Sequence, residues 1–258
     1  MLQPRIIPCL LLKNQGLVKT VRFKKPKYVG DPINAVKIFN EKEVDEMIFL
    51  DITASIDRKK PNFKIIREIA SECFMPLCYG GGVRNLDDIK QIFNTGVEKV
   101  AINSYALEDN EFITKASYLF GNQSIVVSID AKKNIFGKYE VFGFSGKKKY
   151  KLSPADYAAH MENMGAGEIL INSINMDGTM AGYDIELVKS VSKAVTIPVI
   201  ACGGAGKIED FTEAVREGGT SAVAAGSLFV FQGKLRAVLI SYPNPKELKN
   251  LFTQPKIG

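Results

Sequence analysis

A single (β/α)8 barrel is the fold this sequence predicts, on three observations. Eight short runs rich in aliphatic and β-branched residues recur at fairly even spacing, helical patterns fall between them, and the second half of the chain repeats the first. Nearly continuous apolar runs mark strands buried on both faces. Strands alternating with helices leave two common solutions, a closed barrel or an open doubly wound sheet. The repeat chooses between them. Pro76 of MPLCYGGG is matched 122 positions later by Pro198 of IPVIACGG, and Gly96 of GVEKVAINS is matched 123 positions later by Gly219 of GTSAVAAGS. Lys13 of IIPCLLLKN meets Lys132 of VVSIDAKKN after 119 positions. A four-strand unit written twice closes naturally into a barrel, whereas an open sheet needs no such symmetry. The expected domain is residues 1–258, with half-barrels of about 1–121 and 122–258 and no linker.

The strand runs are RIIPCLL, MIFLDI, PLCYGG, KVAIN, IVVSID, EILINS, IPVIACGG and SAVAAGS. The helical patterns between them are DPINAVKIFNEKEVDE, KKPNFKIIREIASEC, NLDDIKQIFNTG, DNEFITKASYLFG, SPADYAAHMENMG, DIELVKSVSKAV and KIEDFTEAVREGG. Asn85, Ser153 and Asp184 read as N-caps, and Gly96, Gly121 and Gly165 as C-terminal stops. The longest connection, about residues 12–31, reads as a basic loop with Lys13, Lys19, Lys24, Lys25 and Lys27. FSGKKKYK is a second basic loop after the fifth strand.

Composition narrows the function classes. Apolar residues make up 46% and charged residues 24%, the balance of a globular protein with a sizeable core. The net charge of +6 is spread in short clusters, without the basic face and interleaved aromatics of a nucleic-acid binder. A small anionic substrate fits it better. Cys9, Cys73, Cys78 and Cys202 lack metal-ligand spacing and His160 has no partner, so neither a metal nor another cofactor is expected. Reduced, buried thiols, no membrane span and no signal peptide in MLQPRIIPC point to the cytoplasm.

Both basic loops leave the C-terminal ends of strands, the face where barrels build their chemistry. GGGVRN follows the third strand and carries Gly81 and Gly82; AINS ends the fourth with Asn103 and Ser104. Their repeats are CGGAGK, with Gly203 and Gly204, and AAGS, with Gly226 and Ser227. Glycines there let backbone N–H groups approach an anion, and following helix starts favour negative charge. Two phosphate sites across one barrel mouth imply a long substrate phosphorylated at each end.

The stretches RIIPCL, IFLDITAS, GGGV, VVSIDAK, FSGKK, GAGEILINSINMDGT, GYD and GGAGK make the chain resemble, over essentially its whole length, the cyclase subunit of imidazole glycerol phosphate synthase. That resemblance implies a partner glutaminase at the N-terminal face of the barrel. Its ammonia would enter the base, travel the axis and meet a bis-phosphorylated ribulosyl formimino-carboxamide ribotide at the top. The resemblance assigns the basal gate to Arg5, Glu46, Lys99 and Glu168. Catalysis falls to Asp130 and Lys19, and substrate contact also to Asp177, Gly178 and Thr179 of the DGT stretch.

The family's second catalytic aspartate falls at Leu11. Ring closure needs one group to give a proton while another takes one, and leucine does neither. The preferred expectation is a paralogue that keeps the barrel, the ammonia path and the glutaminase. It would pass ammonia to another acceptor, through a third, amidotransferase protein, in acetamidino-sugar or surface-polysaccharide biosynthesis. The alternatives are a true cyclase working with Asp130 alone and a non-catalytic scaffold that activates the glutaminase. The related isomerase barrel is disfavoured, since its paired aspartates also need position 11.

Overall fold

The computed structural model describes residues 3–233 and 235–253, so the outer limits expected for the domain, residues 1 and 258, lie outside the described residues. In chain order the first elements are β1 (Arg5–Lys13), β2 (Gly16–Val21), β3 (Lys24–Gly30), α1 (Pro32–Glu41), β4 (Met47–Asp51) and α2 (Phe63–Glu72). Next come β5 (Leu77–Gly80), α3 (Leu86–Phe93), β6 (Lys99–Ile102), α4 (Glu111–Phe120), β7 (Ile125–Lys133), β8 (Tyr139–Gly143) and β9 (Lys148–Tyr150). The order continues with α5 (Pro154–Asn163), β10 (Glu168–Ser173), α6 (Ile185–Ser192), β11 (Val199–Cys202), α7 (Glu209–Arg216) and β12 (Ala222–Ala225). It ends with α8 (Ser227–Val230), β13 (Phe231–Gln232), β14 (Ala237–Val238) and α9 (Pro245–Thr253).

Parallel pairing runs β1-β4-β5-β6-β7-β10-β11-β12 and returns to β1, so eight strands close a (β/α)8 barrel. The apolar runs serve both faces. On β1, Ile6 and Leu10 join the layer under the helices, while Ile7 and Cys9 point into the barrel. The helices supply the outer layer at the spacing their sequences show, as with Ile89 and Ile92 of α3 or Leu187, Val188 and Val191 of α6. Each such side chain withdrawn from water contributes roughly 1.5–3 kcal/mol. Asn85, Ser153 and Asp184 cap α3, α5 and α6, accepting from Asp88, Asp156 and Leu187 N–H groups at 2.8, 3.5 and 3.3 Å. Gly121 caps α4 at φ 83°, Gly165 follows the α5 cap at φ 100°, and Gly96 lies two residues past the α3 cap at φ 101°.

Three expectations need correction. The first helix stops at Glu41 and does not run to Glu46, because Glu43 turns into the left-handed region at φ 52°. The two basic loops are antiparallel hairpins, β2–β3 and β8–β9. Their turns place Arg22 and Phe23 at φ 53° and 60°, and Phe144, Ser145 and Gly146 at φ 55°, 52° and 77°. Positive φ at successive positions is what a tight hairpin demands, but Arg-Phe and Phe-Ser lack the Asn-Gly or Asp-Gly signature that advertises it. The last strand is followed by one helical turn, α8, and a small hairpin, β13–β14, before the unanticipated α9. Among the described residues no helix is long and apolar enough to cross a membrane.

Candidate active site at the strand C-termini

The base of the barrel carries a closed ring of charge. Arg5 begins β1, Glu46 precedes β4, Lys99 begins β6 and Glu168 begins β10, which aims all four side chains inward at one end. Arg5 hydrogen-bonds both Glu46 and Glu168. Lys99 Nζ donates to Glu46 Oε1 and Oε2 at 2.9 and 3.1 Å and to Glu168 Oε2 at 3.0 Å. Burial by itself lowers the pKa of each cation, yet the two carboxylates overcome it and hold Arg5 and Lys99 above their usual values. Cation alternates with anion and the ring is neutral. Above it lies an aliphatic layer containing Ile7, Ile48, Val126, Leu170 and Ile200, which pack against one another.

At the opposite end a cavity opens, with lining residues from all eight barrel strands. The duplication is visible in its walls. Gly81 and Gly82 stand at φ 125° and 76°, and their repeats Gly203 and Gly204 at φ 87° and 120°. A Cβ on Gly82 would lie 2.7 Å from Lys59 O, and one on Gly204 only 2.0 Å from Gly182 O, so close backbone approach excludes any side chain. Asn103 and Ser104 line the same half as Gly81 and Gly82, and Gly226 and Ser227 the half with Gly203 and Gly204. Asn103 Nδ2 donates to Ser128 O at 2.9 Å, and Ser104 Oγ accepts from Phe144 N at 2.9 Å, which ties β6 to the β8–β9 hairpin.

Asp177 and Gly178 line the cavity, but Thr179 stands off it. The Thr179 hydroxyl donates to Met176 O at 2.7 Å, and its carbonyl accepts from Arg236 at 3.2 Å. Asp177 is first a latch. Its Oδ2 accepts from Thr20 Oγ1 at 2.8 Å and Phe23 N at 3.1 Å, and its carbonyl accepts from Arg22 N at 2.9 Å. Those bonds fasten the β2–β3 hairpin over the mouth. Lys19, on that hairpin, is buried and donates from Nζ to Cys9 O at 2.7 Å. A Cβ on Gly226 would lie 2.0 Å from Lys19 Nζ, so the glycine leaves the notch that the amine fills. Burial pulls the Lys19 pKa down.

Leu11 lines the cavity and pairs with Leu50 on β4 and Val18 on β2. The carboxylates in the cavity wall are Asp51, Asp130 and Asp177. Asp51 Oδ1 accepts from Thr53 N and Oγ1, both at 2.8 Å, and from Ala54 N at 3.1 Å, so that oxygen is spent on its own turn. Sequence reasoning passed over Asp51 although it closes a strand run; applying the strand-end rule to β4 finds it. It also missed Arg236, whose Nη1 donates to Gly178 O at 3.1 Å, and Asn172. Asn172 Nδ2 donates to Asp130 Oδ1 at 3.5 Å, while its buried Oδ1 has no hydrogen-bond partner among the described residues. An unpaired buried acceptor costs about 1–3 kcal/mol.

Burial, and then the nearby Asp177 charge, push the Asp130 carboxyl up to about 7, against a small opposing effect of Asn172. The folded protein therefore keeps this proton between pH 3.8 and about 7, where the unfolded chain has lost it. Stability falls as pH rises through that window, by at most about 4 kcal/mol. Asp130→Asn carries no such charge. Its stability relative to the wild type is expected to rise from acid to pH 8, and urea unfolding across that range measures it. A difference independent of pH would show that Asp130 is ionised throughout.

The histidine biosynthesis protein family model matches residues 5–236. A Pseudomonas aeruginosa protein provisionally named imidazole glycerol phosphate synthase subunit hisF2 is 55% identical over 248 residues, which cover 96% of this chain and 99% of that protein. A Leptospira interrogans protein, provisionally named imidazole glycerol phosphate synthase subunit HisF, is 48% identical across 98% of this chain and 100% of its own. The imidazole glycerol phosphate synthase subunit HisF of Alkaliphilus metalliredigens is 42% identical across 89% of this chain and 91% of its own. With the barrel, the duplicated glycine loops and these matches together, the chain belongs to the HisF family of imidazole glycerol phosphate synthase cyclase subunits.

Proposed function

We propose that this protein is a cytoplasmic HisF paralogue that receives ammonia from a partner glutaminase at the base of its barrel. It delivers that ammonia at the cavity mouth to an acceptor other than the histidine precursor. The observation that carries this reading is the asymmetry of the cavity: Asp130 lines it from β7, and Leu11 holds the matching place on β1. The charged ring of Arg5, Glu46, Lys99 and Glu168 supports an entrance gate, and the aliphatic layer above it suits a neutral molecule better than an ion. Passage through that layer takes side-chain motion. Asp130 and Lys19 then bind and gate at the exit, and the paired glycine loops hold a phosphorylated ligand.

The acceptor belongs with acetamidino-sugar and surface-polysaccharide chemistry, where a third, amidotransferase protein would use the ammonia. The relatives named hisF2 in Pseudomonas aeruginosa and hisF3 in Vibrio vulnificus bear numbers that fit additional copies of the subunit. A true cyclase is the second reading, favoured by Asp51 and Asp177 in the same cavity wall. Purified protein supplied with ammonium salt and the ribotide separates the two. The expected result is little or no imidazole glycerol phosphate, read by absorbance; formation at the rate of an ordinary cyclase would establish the second reading.

A further inference from the structure

Asn172 and Asp130 are a cross-strand pair, directly in register on β10 and β7. Asn172 is 8% exposed and presents its two amide ends to different surroundings. Nδ2 faces Asp130 Oδ1 across a long 3.5 Å contact. Oδ1 faces a notch that exists because residue 203 is glycine. A Cβ built there would lie 2.5 Å from Asn172 Oδ1, 2.9 Å from Ser173 O and 3.3 Å from Ser173 N. The Ser173 carbonyl accepts from Met176 N and Asp177 N at 3.2 and 2.9 Å, whereas Asn172 Oδ1 has no donor among the described residues.

The arrangement suits the ionised state of Asp130 better than the protonated one. An ionised carboxylate needs the N–H donor it now has. A protonated carboxyl can still accept from Nδ2 through its carbonyl oxygen, but its O–H also needs an acceptor, which Nδ2 cannot be. Turning the amide by half a rotation gives the O–H that acceptor. Oδ1 would then accept from the Asp130 carboxyl, and Nδ2 would enter the Gly203 notch beside the Ser173 carbonyl. We propose that the Asn172 side chain turns over with the protonation of Asp130 and is the positioning residue that keeps this one carboxyl hydrogen-bonded whether it holds a proton or not.

The inference rests on the reading of Asp130 as a group that binds and gates at the exit of the barrel. With Leu11 in the matching position, the carboxyl has no symmetry mate to share a proton with, and a partner that serves both of its states has to come from a neighbouring strand. Among the described residues none of the other ionisable side chains lining the cavity, Tyr105 included, hydrogen-bonds the pair. Lys19 Nζ donates a hydrogen bond to Cys9 O, Asp177 is engaged by Thr20 and Phe23, and Asp51 is held by its own turn. The Cys9 and Cys202 thiols line the wall below. Asp177 acts on Asp130 through its charge, raising the cost of the ionised form.

The test uses the whole chain alone, labelled with nitrogen-15 at asparagine and carbon-13 at aspartate. Across the Asp130 titration, Asn172 Nδ2 protons are expected to show Overhauser contacts with the Gly203 α protons on the acid side and to lose them on the alkaline side. The midpoint should equal that of the Asp130 carboxyl carbon. In Asp130→Asn the change should vanish. Contacts that do not vary with pH in the wild type, or that still switch in Asp130→Asn, would overturn the inference. Because no ammonia, glutaminase or ribotide is present, failure here leaves the ammonia-delivery reading untouched, and failure of the ribotide assay leaves this result untouched.

Discussion

Leu11→Asp is expected to raise turnover of the ribotide with ammonium salt by about 10²–10⁴-fold, the usual contribution of one positioned acid or base. The new carboxyl would enter a cavity that already holds Asp130, Lys19 and the paired glycine loops. It would stand on β1, between Leu50 and Val18, half-buried, so that part of it reaches water. Two carboxyls in one cavity with different surroundings can divide proton donation from proton acceptance. The substitution is expected to cost roughly 1–3 kcal/mol of stability, the scale for polar burial in proteins. Leu11→Asn, similar in shape but without an acid, should leave turnover where it was. If ribotide still binds to Leu11→Asp and no product forms, the cavity lost more than an acid/base group and belongs to a different acceptor altogether.

Glu168→Leu is expected to destabilise the fold by about 3 kcal/mol. Glu168 is 5% exposed and sits between Arg5 and Lys99, 30% and 20% exposed, with Glu46 as their other partner at 3%. Removing it leaves two cations on one carboxylate inside the barrel base, and breaking a buried ion network by one partner typically costs about 3–5 kcal/mol. The low end applies because both cations keep some access to water. A lower urea midpoint with an unchanged slope would identify this as loss of native-state stability. Lys99→Met combined with Glu168→Leu should recover part of the loss, since the pair then leaves together and apolar atoms replace it. An additive double variant would mean that Lys99 and Glu168 are not energetically coupled.

Much of the molecule is legible in order along the chain. Continuous apolar runs give the strands, caps such as Asn85 and Asp184 start helices where they should, and offsets near 120 residues reveal the duplication. The glycine pairs could be found because turns of this kind favour glycine, whereas Arg5, Glu46, Lys99 and Glu168 came from the resemblance to the cyclase-subunit family. The hairpins escaped notice because Arg22-Phe23 and Phe144-Ser145 adopt positive φ without the residues that usually signal it.

What depends on neighbours distant in sequence could not be read this way. Asp177 fastens Thr20 and Phe23 across more than 150 residues, Lys19 fills a notch left by Gly226, and Asn172 meets Asp130 only where β10 lies beside β7. By itself the sequence determined the period of the elements, the two-fold repeat and the chemistry present at each strand end, since those follow from local backbone preference and burial pattern. Closure of the barrel alone decided which of those groups touch. Hydrogen bonds and buried charges act over a few ångströms, and no order along a chain fixes distances of that size until the sheet has joined its first strand to its last.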